Sequence, residues 1–205
     1  GIKVNQDLVI GRKNFENITV YQVVKQGGYA FQTQRAFPYP LLPTFFNFDT
    51  TNPMVRGMSD ITLPFVSTVE PTSALKADKG VSITQLVTTG DDDIAAKGDD
   101  VTLLPPALLN KLPVFKSSGA KPVVLLVTGK FSSYFSNHAK PKGVNDADFI
   151  SSGKGRILVV GSNMGLENLS PQKILEGFNM GQLTGNNMGA LFKLPKYATN
   201  LQNWQ

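Results

Sequence analysis

The 205-residue chain carries 41% hydrophobic and 17% charged residues, enough apolar material to core one large domain or two small ones without metals or disulfides. It has no Cys, which excludes disulfides, thiolate metal sites and a Cys nucleophile. Its net charge of +5 is scattered, unlike the basic tract that follows phosphates, so nucleic acid is not an expected partner.

The chain starts Gly1-Ile2-Lys3-Val4, with no initiator Met, basic leader or apolar signal core. The longest apolar run, Val123 to Val127, is far short of a membrane span. The expectation is one soluble domain over 1–205, a fragment of a longer membrane-anchored protein whose anchor lies outside these residues. Lack of Cys suits an oxidising compartment. Ile2, Val4 and Leu8-Val9-Ile10 read as strands, as does β-branched Ile18 to Val24, punctuated by Gly27-Gly28 before Tyr29-Ala30-Phe31.

Residues 36–115 read as an irregular, β-rich and Pro-rich middle segment. Pro38, Pro40 and Pro43 argue against helix and central strand alike. Short strands are expected at Ile61-Thr62-Leu63, Phe65-Val66-Ser67 and Val81 to Val87. Residues 90–100, with Asp91, Asp92, Asp93, Asp99 and Asp100, read as a solvated acidic loop without the spacing of a calcium loop.

From residue 116 the pattern turns to α/β. Pro122 to Gly129 and Arg156 to Ser162 contain continuous apolar runs, the mark of strands buried on both faces and covered by helices. Residues 136–155 have the polar composition of a mobile surface loop. Ser170-Pro171 opens a predicted helix, and Met188, Leu191, Phe192, Leu194, Tyr197, Leu201 and Trp204 fit a broken amphipathic one.

No catalytic set emerges. His138 is the only His and lies in a loop-like stretch, too little for a zinc site. Gly161-Ser162-Asn163-Met164-Gly165 misplaces the Ser of a nucleophile elbow by one position. No metal or cofactor is expected. If the two apolar strands are parallel neighbours, their carboxyl ends bring Lys130, Ser132, Ser133, Ser162 and Asn163 to one polar, mildly cationic crevice, where open α/β sheets bind ligands. The alternative is that Gly129 and Gly161 only turn the chain. Tyr39, in the stiff apolar segment Phe37 to Pro43, is a further ligand- or partner-binding candidate, though that segment would serve equally to cover a sheet edge.

Three blocks carry a resemblance. The first is Gly1 to Val9. The second is Phe37-Pro38-Tyr39-Pro40-Leu41-Leu42-Pro43, then Asn52-Pro53-Met54-Val55-Arg56-Gly57, then Leu63-Pro64-Phe65-Val66-Ser67. The third is Gly129-Lys130-Phe131-Ser132-Ser133-Tyr134-Phe135 followed by Arg156-Ile157-Leu158-Val159-Val160-Gly161. In this order they resemble the auxiliary components of gliding-motility-type ABC transport systems, over nearly the whole chain. The resemblance implies a partial flavodoxin-like or class I glutamine amidotransferase-like α/β fold, lacking its first α/β unit here. It implies an extracytoplasmic, periplasmic location at the bacterial inner membrane, with membrane helices outside the fragment. Implied partners are the permease and ATPase subunits or envelope proteins, and no catalytic residues carry over. A hydrolase or amidotransferase-like enzyme and a carbohydrate-binding module, the latter using an exposed Tyr39 or Trp204, stand as alternatives.

Overall fold

The β-branched run after Phe15 and the Gly27-Gly28 pair build the longest feature of the chain. Strands β3 (Phe15–Gln26) and β4 (Tyr29–Phe45) form an antiparallel ribbon. The left-handed φ values of Gly27 and Gly28 let two residues turn it. The computed structural model describes residues 1–101, 115–143, 145 and 149–162. Before the ribbon come β1 (Ile2–Val4) and β2 (Asp7–Ile10). After it come β5 (Asn47–Phe48), β6 (Ile61–Thr62), β7 (Val69–Pro71), helix α1 (Ser73–Ala77), β8 (Val81–Thr88), β9 (Ile94–Lys97), β10 (Pro122–Ser132) and β11 (Ser152–Val160).

The α/β, flavodoxin-like expectation is overturned. Among the described residues there are eleven strands and one five-residue α-helix, and every strand pairing is antiparallel. The main sheet runs β11-β10-β8-β5; the smaller pairings are β1-β7, β2-β9 and β3-β4-β6. The apolar run of β10 does predict burial, since Val123 to Val127 are all buried in a strand flanked on both sides. Such a run reports covered faces and not strand direction, and a central antiparallel strand satisfies it equally. The second run behaves differently: β11 is an edge strand, half-buried at Leu158 to Val160 and exposed at Ile157. The predicted helices from Ser170 and across 187–204 lie outside the described residues.

The Pro-rich segment corrects a second expectation, because Pro38, Pro40 and Pro43 all lie within β4. The ladder gives way where they fall: Phe15 pairs with Pro43 and Asn17 with Pro38, leaving residues 39–42 opposite Glu16 alone. Elsewhere the segment works mainly as an acceptor. The Pro40 carbonyl takes the Gly11 N–H at 2.8 Å, Leu41 that of Phe65 at 2.9 Å and Pro43 that of Leu63 at 3.2 Å. Residues without an N–H lose nothing in that role. The acidic stretch also holds more order than a loop, since β9 lies between its two clusters and pairs with β2.

Two apolar clusters hold these pieces together. One gathers Val9, Phe45, Val55, Ile61, Leu63, Val66, Leu86, Val87, Val123, Val124 and Leu126; the other gathers Ile18, Phe37, Tyr39, Leu41 and Leu42. Extended residues 66–68 link the sheets. Val66 accepts from Val9 N at 2.8 Å, Ser67 N donates to Gly161 O at 2.9 Å and Thr68 O accepts from Asn5 N at 2.9 Å. Side chains reinforce the seam, with Asp7 accepting from Thr68 N at 2.8 Å and from Thr68 Oγ1 at 2.5 Å.

Candidate partner-binding surface

β10 leaves the core as its sequence turns polar. Lys130 and Ser132 are exposed, and β11 runs back beside them in register. Alternation puts the pairs Thr128/Arg156, Lys130/Lys154 and Ser132/Ser152 on one face. Lys130 and Lys154 are thus directly opposed like charges, an arrangement that costs stability. Among the described residues the ion pairs are Lys3–Glu70 and Lys13–Asp92, and both lie elsewhere. The opposite face pairs Gly129 with Gly155 and Phe131 with Gly153. A shallow depression of about 280 Å³ at this end of the two strands is lined by Phe131, Ser132, Ser133, Ile150 and residues 152–155, Lys154 among them.

A tight turn closes the end. Ser133 N donates to Ser151 O at 2.8 Å, Ser133 Oγ accepts from Phe135 N at 3.3 Å and Ser136 Oγ donates to Ser151 O at 3.1 Å. His138 stacks on Tyr134 with ring centroids 3.9 Å apart, and its Nδ1 donates to the Tyr134 carbonyl at 2.8 Å. Tyr134 itself is exposed and meets Phe135 edge-on at 5.4 Å. Lys140 holds its ammonium 4.4 Å from the centre of the Phe149 ring. This end therefore combines exposed cations with exposed aromatic rings, and rings of this kind are enriched at protein interfaces.

Of the sequence-derived candidates, the structure brings together Lys130, Ser132 and Ser133. Ser162 lies at the other end of the sheet, because β11 runs opposite to β10. The rungs Ser132/Ser152 and Val124/Val160 stand eight residues apart, roughly 27 Å at the rise of an antiparallel strand. Ser162 is buried and donates to the Pro64 carbonyl at 2.6 Å. Tyr39 is also buried, edge-on to Phe65 at 6.1 Å, and burial pushes its phenol pKa well above the usual value. Asn163 and Trp204 lie outside the described residues. Gly129 does not turn the chain, whereas Gly161 sits at a bend directly after β11. Gly129 sits mid-strand, where a Cβ would overlap the Gly80 carbonyl, and Gly161 packs against Ser67.

Sequence reasoning missed Lys154, Arg156 and Ile150 as members of this surface. A signal was present in the near-mirror segments Gly129-Lys130-Phe131-Ser132 and Ser152-Gly153-Lys154-Gly155, which face each other only when the strands run antiparallel. No helix among the described residues is long and apolar enough to cross a membrane. Among the same residues no group of three or more His, Asp or Glu is placed to hold a metal ion.

Neither a curated protein nor a solved structure matches the chain. A family model described as "ABC-type uncharacterized transport system" matches residues 1–192. The chain belongs to this family of auxiliary components of ABC-type transport systems.

Proposed function

We propose that the chain serves its transport system as a non-catalytic extracytoplasmic module, and that it captures an acidic surface of a transporter subunit or envelope protein with the exposed end of β10 and β11. The observation that carries this reading is the opposed Lys130 and Lys154, with Arg156 one rung away on the same face. A partner carboxylate set between the two ammonium groups would relieve their repulsion. The depression beside them, with Phe131 and Ile150, offers an apolar seat for a partner side chain. The extracytoplasmic part draws on the lack of Cys. The non-catalytic part draws on the local hydrogen bonds: Ser133 Oγ accepts from a turn N–H and His138 Nδ1 is engaged by the Tyr134 carbonyl.

The test is co-purification of the full-length protein with its permease and ATPase from detergent-solubilised membranes. The Lys130→Glu/Lys154→Glu double variant should lower recovery of the subunits about tenfold or more, since close charge pairs at interfaces couple by more than about 1.5 kcal/mol. Wild-type capture should also weaken as salt is raised. Undiminished capture by the double variant would refute the proposed surface.

A further inference from the structure

The β3–β4 ribbon carries exposed apolar side chains near its tip. Its register pairs Ile18 with Phe37, Val24 with Phe31 and Gln26 with Tyr29, and period-two alternation puts these three pairs on one face. At the base, Ile18 and Phe37 are buried in a core cluster. Six residues further along the strand, roughly 20 Å away, the same face is exposed: Val24 is 45%, Phe31 52% and Tyr29 72% accessible. The Tyr29 and Phe31 ring centroids lie 6.3 Å apart, forming one aromatic tip. Beyond Glu16 at its base, the ribbon carries charge of a single sign. Lys25 and Arg35 are the only charged residues between Glu16 and Asp49.

We infer that the tip of this ribbon docks on an anionic lipid surface, with Tyr29, Phe31 and Val24 entering the headgroup boundary and Lys25 and Arg35 supplying attraction to the phosphates. Three facts select this occupant. Three side chains present far less than the roughly 800 Å² per partner that a stable protein interface or a second copy requires. A Tyr–Phe pair suits the interface between lipid and water, where an apolar ring body sinks and a polar edge stays wet. A stretch of 32 residues, 17–48, with two cations and no acid complements anionic lipid. The inference stands apart from the β10–β11 surface and does not depend on it.

The test is flotation of the full chain with vesicles of phosphatidylglycerol and phosphatidylethanolamine, against vesicles of phosphatidylcholine alone. Wild type should float with the anionic vesicles, and added salt should release it. Tyr29→Ser/Phe31→Ser should abolish flotation. Lys25→Gln and Arg35→Gln should each weaken it about fivefold, the effect of one cation near an anionic surface. Unchanged melting temperatures would show that these changes leave the fold intact. Failure of wild type to float, or equal flotation of the double variant, would overturn the inference. So would sedimentation showing that the wild type is a dimer which Tyr29→Ser/Phe31→Ser converts to a monomer, since the tip would then be a contact between copies. Loss of permease capture by the tip variant with vesicle binding unaffected would assign it to a protein and equally overturn it.

Discussion

Gly161 accepts a hydrogen bond from Ser67 N at 2.9 Å, and its Cα lies so close to the Ser67 carbonyl that any side chain would overlap that oxygen. The same glycine donates to Val123 O at 2.9 Å, so one residue fastens the end of β11 both to β10 and to the 66–68 seam. Gly161→Ala must push backbone against backbone. It should cost roughly 3 kcal/mol, the upper range for overpacking a filled site, and lower the urea midpoint with little change in slope. Ser162→Ala leaves the Pro64 carbonyl without the hydroxyl at 2.6 Å and should cost about 1 kcal/mol in the same assay.

That contact also shows how far the sequence could be read. Strands at 1–35, 61–62 and 81–88 were legible because β-branched alternation and the Gly27-Gly28 turn are local signals. The burial of Val123 to Val127 was legible from their uniform hydrophobicity. The direction of β11 was not, because side-chain period is blind to whether a neighbour runs up or down, and the parallel assumption sent Ser162 to the wrong end of the sheet. The prolines of β4 misled because a rule about missing donors presumes that donors are needed, whereas the Pro40 and Pro43 carbonyls carry the contacts to Gly11 and Leu63. Of the candidate site, Lys130, Ser132 and Ser133 were found together, while their cross-strand partners appear only once the antiparallel register is known.

Tyr39 should respond to alkali as a buried phenol. Burial raises its pKa, so the neutral form is favoured in the folded state. Its contribution is complete below the unfolded phenol value near ~10 and is lost as pH rises towards the folded value. Ultraviolet titration of the five tyrosines should show one that ionises only as the chain unfolds, and Tyr39→Phe should remove that step. Tyr39→Ala opens a cavity beside Phe65 and should cost about 3 kcal/mol.

Lys13 and Asp92 form an exposed ion pair that holds the acidic turn against residues 12–14, where Arg12 N also donates to Asp93 at 3.1 Å. The Lys13 ammonium lowers the Asp92 pKa through its hydrogen bond and charge, and Asp92 raises that of Lys13 likewise. The Asp92 contribution is therefore present above the ordinary carboxylate range and is lost as pH falls through the depressed folded value. The Lys13 contribution is present below the ordinary lysine range and is lost as pH rises through the raised one. Carboxyl NMR should place Asp92 below an ordinary Asp, and Lys13→Ala or high salt should return it upward. An Asp92 midpoint unmoved by Lys13→Ala would show that the pair does not form in solution.

The opposed lysines allow a test in which stability and binding move in different directions. Lys130 and Lys154 face each other across β10 and β11, and each is exposed. Lys154→Glu replaces repulsion with attraction and should stabilise the fold by about 0.5 kcal/mol, within the range measured for cross-strand charge pairs. If the two cations serve only as a solvated rim, nothing else changes. If they hold an acidic partner, the same substitution weakens capture of the transporter subunits while raising the urea midpoint. Damage to the fold cannot produce that combination, because it would lower both. Restoring the cation by Lys154→Arg should recover capture and return the midpoint to the wild-type value. A variant that gains stability and keeps full capture would leave the like-charge register without a role in binding.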